Sequence, residues 1–375
     1  MSLLNRFVTV AAAAATVTAT GLAMGPAAGA TPTPSLPFIA HFHKLTNIAS
    51  TVPHNGDVNP YGVAVVRQSR GRLHRGDVLV SNFNNKANLQ GTGTTIVEVS
   101  PRGKVTQFAA ISSAWLPAVC PGGIGLTTAL VVVHNWVIVG SLPSTDGSAA
   151  TSGAGCLLVL DSSGKVRSII SGHGINGPWD MTAVGHRRTA ALFVTSVLNG
   201  TVAAKGAVVH RGTILRLVLR FRGSRVPALR SVTMVGSGFS ERTDAAAFVV
   251  GPTGLGVGRR GTLYVADTGP NRITAIGHAL TRATSAGTGR VLTSGGWLSS
   301  PLGLAIAPNG DVLTVNGANG RIVETSPRGV QVASRFLDRS GSPAGSGALF
   351  GLAVAPHGAG LYYVDDAVNT LRLLG

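Results

Sequence analysis

The sequence predicts an all-β chain: a six-bladed β-propeller of four-stranded antiparallel blades, its ring closed by a strand from the N-terminal region. Three observations predict it. One motif recurs six times, as PYGVAVV from Pro60, GIGLTTAL from Gly123, PWDMTAV from Pro178, PTGLGV from Pro252, PLGLAIAP from Pro301 and LFGLAVAP from Leu349. A period of roughly fifty residues is that of a repeat array. Behind each motif comes a second apolar run: GDVLVSN, NWVIVGS, AALFVTS, GTLYVAD, GDVLTVN and LYYVDD. Finally, 51 glycines against only 5% aromatic residues favour short strands joined by tight turns over long helices.

Residues 1–30, with one early charge at Arg6, an Ala/Val-rich middle and Ala28-Gly29-Ala30 at the end, have the layout of a secretory signal peptide. Residues 31–36 are a Pro-rich linker, and residues 37–375 are expected to form the propeller. Within most repeats a third strand and a hairpin follow, as in TIVEVSPRGKVTQF, CLLVLDSSGKVRSII and RIVETSPRGVQVAS, with Arg102-Gly103, Ser163-Gly164 and Arg328-Gly329 at the turns. The near-continuous apolar runs fit sheets covered on both faces. The final repeat has room for three strands only, and PFIAHFHKLTNIA offers the fourth, which would seal the ring.

The opening P-x-G-hydrophobic-A motif, together with LYVADTGPNRI in the fourth repeat, resembles the NHL-repeat family of six-bladed propellers over residues 37 to 375. The resemblance is specific for fold and poorly specific for function, because the architecture hosts binding proteins, hydrolases and lyases.

Asp267, in that fourth-repeat segment, stands level with Asn82, Ser141, Ser196, Asn316 and Asp365. Small polar residues recurring at one register serve a corner of the fold, so Asp267 is expected to be structural. What does not recur is more informative. The first three repeats carry long connections between second and third strands, FNNKANLQGTGT, LPSTDGSAATSGAG and VLNGTVAAKGAVVHRGT. These would wall one face, where Asn84 and Asn85 are candidate ligand contacts. Trp179 and Asp180 replace the usual x-Gly of the motif and are further candidates. Cys120 and Cys156, the only cysteines, are expected to pair in an oxidising compartment.

The formal net charge is +17. Arg70, Arg72, Arg75, Arg187, Arg188, Arg259 and Arg260 fall in connections on the opposite face and are candidate polyanion contacts. Secretion sets nucleic acid aside as a partner. Propellers of the lactonase and gluconolactonase type, to which the family is related, hold a divalent metal with Glu, Asn and Asp. Here Asp180 is the single acid at the corresponding strand starts, so no cofactor or metal set is expected, though the enzyme reading would call for a channel metal. His41 and His43, on the proposed N-terminal strand, form at most a weak metal clamp. The chain is thus read as an exported monomeric binding module for an anionic envelope polymer, a glycan or another protein, with no transmembrane span in the mature chain. The alternative is a lactonase-like hydrolase or lyase with its site at the channel mouth.

Overall fold

The computed structural model describes residues 36–116 and 118–375; the proposed signal peptide and residues 31–35 of the linker lie outside them. Six antiparallel sheets form an all-β six-bladed propeller whose only helical elements, among the described residues, are short 3-10 turns. The inner strands are Val58–Val65, Leu126–Val133, Gly177–His186, Pro252–Val257, Pro301–Ile306 and Leu349–Val354; in blade two the strand begins three residues after the expected Gly123, with Leu126 opposite Ser141 as Pro60 is opposite Asn82. The inner strand of blade six lies beside that of blade one. An N-terminal strand, Leu45–Ser50, occupies the outer edge of the sixth sheet, running antiparallel to Thr370–Leu374 with Leu45 opposite Leu374 and Ser50 opposite Thr370. Just before it, Glu324 accepts the backbone N–H groups of Phe38 and Ile39 at 2.7 and 2.8 Å.

Packing explains the apolar strands. Each strand sends alternate side chains to opposite faces, and each face meets a neighbouring blade. Leu79 and Ile96 of blade one pack on Leu130 and Val139 of blade two. Val78, Val80 and Val97 of the same strands pack on Tyr362 and Val364 of blade six. Comparable clusters fill the other four junctions.

Close approach explains the recurring glycine. A Cβ on Gly254 would collide with the carbonyl oxygen of Leu302, on Gly303 with that of Phe350, and on Gly351 with that of Tyr61. In each case the blocking carbonyl belongs to the residue just before the next blade's glycine position. Blade three departs from the pattern: Asp180 stands in the glycine's place, and its Oδ2 accepts the Leu255 N–H of blade four at 3.0 Å.

The recurring polar register also has a geometric role, and all six of its members are fully buried. Asn82 donates to Thr51 O, and Asn316 to Trp297 O. Ser141 Oγ bonds Gly125 N and Gly123 O, and Ser196 Oγ bonds Asn176 N and Gly174 O. Each of these four ties the end of a second strand to the segment that enters its own blade. Asp267 and Asp365 instead form ion pairs with Arg272 and Arg372 on the third strands, at 2.8 and 3.0 Å. Asp267 is therefore a corner residue.

Three details differ from the sequence reading. The connection expected to run from Val197 to Thr213 is shorter, because the third strand of blade three already begins at Val209. That strand and its partner, Arg225–Asp244, extend beyond the sheet as a ribbon, and the ribbon folds back through Phe248–Val250 as a fifth strand. His41 and His43 do not lie on a strand: His41 ends a 3-10 turn at Phe38–His41, and His43 precedes Leu45–Ser50. Local hydrogen bonding to Glu324 competes with strand pairing there. Cys120 and Cys156 form a disulfide, with Cα atoms 5.6 Å apart.

The glycine ring gives a direct test. Gly303→Ala is expected to lower unfolding free energy by at least about 2 kcal/mol, because backbone must move to admit the methyl group. Gly277→Ala, where a Cβ would meet no atom within 4 Å, is the control and should change stability by less than about 0.5 kcal/mol. Equal effects in denaturant titration would refute the close-approach explanation.

Candidate functional site

The second position of the repeated motif points to one mouth of the central channel. It is held by Tyr61, Trp179, Thr253, Leu302 and Phe350 in five of the six blades, and all five line a cavity of about 500 Å³ there. Beneath it the aromatic rings interlock. Tyr61 stacks on Phe350 with centroids 4.2 Å apart, and Trp179 lies parallel to Phe248 at 6.4 Å. Phe83 stands edge-on to both Trp179 and Phe248. Edge-to-face and offset contacts of this kind fix ring positions as well as burying area. Phe248 takes part although its backbone has φ of 63°, which is costly for a bulky residue and is sustained by its surroundings. It arrives from the fold-back of the blade-three ribbon, so that hairpin is part of the cavity wall.

The polar groups of the wall are unevenly satisfied. Asn84 donates its amide to Asn88 Oδ1 at 2.7 Å, while its own Oδ1 is buried with no donor among the described residues. Asn59 Oδ1 is in the same position, although the Asn59 N–H is held by Asn369 Oδ1 at 2.8 Å. A buried acceptor without a donor is unfavourable by about 1–3 kcal/mol. Asp366 also lines the cavity, and burial together with the adjacent Asp365 carboxylate pushes its carboxyl up to about 7. Burial, then Asp366 and Asp180, hold the Tyr61 hydroxyl above its ordinary range. Arg242 reaches the rim, where its guanidinium pairs with Asp244 at 2.6 Å.

The candidates predicted from sequence separate on this frame. Trp179 is 2% exposed and belongs to the aromatic floor. Its neighbour Asp180 turns away into a second cavity of about 270 Å³, the channel neck, whose lining is otherwise aliphatic and glycine except for Met181, Thr128, Thr182 and Arg67. Burial there pushes the Asp180 carboxyl up to about 7, against the opposing effect of the Met181 and Leu255 N–H groups. Asn84 is at the mouth. Asn85 lies outside the cavity lining, and its Oδ1 accepts the N–H groups of Ala87 and Leu89, which shapes the loop. Sequence reasoning missed Asn59, Tyr61, Asp366 and the Phe248 hairpin. The aromatic residues at the second motif position, and the doubled acid of LYYVDD, carried that information.

The arginine candidates lie in connections at the opposite end of the channel. Arg72 donates to Ser163 O at 3.5 Å and to Gln107 O, and Arg259 donates to Pro308 O at 3.4 Å, so both brace neighbouring chain segments. Arg70, Arg75, Arg187, Arg188 and Arg260 are exposed, and their side chains make no hydrogen bond to any described residue. On the same end one group has the spacing of metal ligands among the described residues: His74, Asp77 and Glu98. His74 Nδ1 lies 3.2 Å from Glu98 Oε2 and 3.9 Å from Asp77 Oδ2, and the His74 N–H binds Glu98 Oε1 at 2.8 Å. These contacts fix the first-to-second-strand connection of blade one.

Several solved structures share the fold. A gluconolactonase from Xanthomonas campestris superposes with a TM-score of 0.53 at 13% identity, over 88% of this chain and 88% of that one. A luciferin-regenerating enzyme gives 0.54 at 13% identity over 88% and 95%. A calcium-binding regucalcin from Agrobacterium tumefaciens gives 0.51 at 13% identity over 88% and 94%. Identity this low carries the fold and no residue roles. No protein-family model and no curated protein matches the chain, so the resemblance to NHL repeats rests on the quoted residues alone.

The two channel carboxyls give a pH signature. Each binds its proton more tightly in the folded chain than in the unfolded one, where the ordinary value is 3.8. Their contribution to stability is therefore full below about pH 4 and is lost as pH rises toward about 7. Wild type is expected to lose roughly 3–5 kcal/mol more between pH 5 and pH 8 than an Asp180→Asn/Asp366→Asn variant. Parallel stability profiles for the two proteins would show that these carboxyls titrate normally.

Proposed function

We propose that the channel mouth binds a small hydroxyl-rich organic ring and that the chain acts as an exported binding module. The observation that carries this reading is the convergence of Asn59, Asn84 and Asp366 on one aromatic-floored cavity. Side-chain amides and a carboxyl on one cavity wall suit a ligand rich in hydroxyl groups. A cavity of about 500 Å³ accommodates one ring system, and flat aromatic walls suit the apolar face of a sugar or lactone. Export is part of the proposal, supported by the layout of residues 1–30 and by the disulfide. Among the described residues no helix is long and apolar enough to cross a membrane.

A second reading, hydrolysis or elimination on such a ring, draws on Asp366. A carboxyl held at about 7 is divided between acid and base forms at neutral pH, which is what proton transfer requires. The gluconolactonase and the luciferin-regenerating enzyme among the fold's relatives point the same way. A hard divalent cation would find all-oxygen donors in Asn59, Asn84 and Asp366 and would supply polarisation of a carbonyl. With a single carboxylate the set fits such an ion only weakly.

Calorimetric titration with a panel of sugars, polyols and aldonolactones tests both readings. Binding without turnover, weakened about tenfold by Asn84→Ala, supports the module. Acid release from a lactone, with an apparent pKa near 7 that disappears in Asp366→Asn, supports the enzyme. A panel that neither binds nor reacts would remove the mouth as the site.

A further inference from the structure

We infer that the opposite end of the channel is a docking site for an anionic chain polymer bearing phosphate or sulfate groups, centred on Arg67 and Arg75. The first observation is the sorting of charge. The segments joining first to second and third to fourth strands all emerge at this end, and they hold thirteen lysines and arginines against three acids, Asp77, Asp161 and Asp311. Each of those acids is already engaged: Asp77 faces His74 at 3.9 Å, Asp161 faces Arg167 at 3.7 Å, and Asp311 accepts from Asn309 Nδ2 at 3.0 Å. Three carboxylates offset only a small part of thirteen positive charges. A surface of one sign raises the local concentration of the opposite one.

A second, independent observation is a cleft of about 450 Å³ on this face, lined by Arg67, Arg75, Pro308 and His357 together with mostly apolar residues of blades one, five and six. No acid lines it. Neither arginine side chain makes a hydrogen bond to a described residue, so both guanidinium forks are available, and the fork geometry matches phosphate and sulfate oxygens. Exposed Arg70, Arg187, Arg188 and Arg260 extend the positive surface around the ring.

Shape and composition select the partner. A recessed cleft admits a flexible chain, whereas the plane of a bilayer cannot follow side chains into it. None of the connecting segments on this face contains Phe, Tyr or Trp. Interfacial aromatic anchors for a membrane are therefore missing, and so are stacking platforms for nucleic-acid bases. What remains is recognition of repeated anionic groups along a chain. This inference is independent of the proposed mouth site, because no residue is shared between them.

Fluorescence anisotropy with labelled polyphosphate and labelled heparin, each at several salt concentrations, tests it and tells a phosphate from a sulfate preference. Arg67→Ala/Arg75→Ala is expected to bind the preferred polymer about tenfold or more weakly and to lower the salt slope by about two. A Lys86→Ala/Lys205→Ala variant, which removes two exposed charges on the other face, should stay within about twofold of wild type. Unchanged thermal unfolding of both variants secures the comparison. Equal losses in the two variants would reduce the effect to net charge and overturn the site. Tighter binding to phosphatidylserine vesicles or to single-stranded DNA than to either polymer would overturn the choice of partner.

Discussion

Everything in this fold depends on each sheet being covered on both faces by its neighbours. No blade possesses a core of its own: Leu79 and Ile96 are buried by blade two, whereas Val78, Val80 and Val97, on the same two strands, are buried by blade six. The arrangement is circular, so the hydrophobic free energy of any one blade is realised only when the ring is shut. Inner strands crowd the axis as a result. Glycine is required where one strand's carbonyl passes over the next strand's Cα, as at Gly254, Gly303 and Gly351.

That crowding also creates the site. Residues at the third motif position must be small or reach across to the next blade, as Asp180 does through Leu255 N–H. Residues at the second position escape the crowding and point to the channel mouth, where Tyr61, Trp179 and Phe350 converge with Phe83 and Phe248. The two ends of the channel then diverge in chemistry. One gathers aromatic rings, amides and the Asp366 carboxyl, while the other gathers arginines. A single scaffold thereby presents two surfaces suited to ligands of different kinds.

The repeat was legible in the sequence because register is enforced six times over. A polar residue closing each second strand, and a Pro in the opening of four of the six inner strands, recur at positions where geometry leaves little choice. Features that occur once were harder to read. The ribbon of blade three, with its fold-back at Phe248–Val250, carries no Asn-Gly or Asp-Gly signal and overrode the expected loop between Val197 and Thr213. Asp366 was hidden beside Asp365, which fills the register position. His74, Asp77 and Glu98 come together only because the second and third strands of blade one bring a connection and a strand end side by side. Asn85 looked like a ligand contact in a polar loop, but the same side chain can satisfy two backbone amides of that loop, and it does.

Native-state hydrogen exchange tests the shared-core claim most directly. If no blade is stable without its neighbours, the slowest amides of the second strands in all six blades should exchange through one global opening, with a common free energy and a common dependence on denaturant. Slow amides of one blade, or of a block of adjacent blades, exchanging through their own lower-energy opening while the rest stay protected would contradict it.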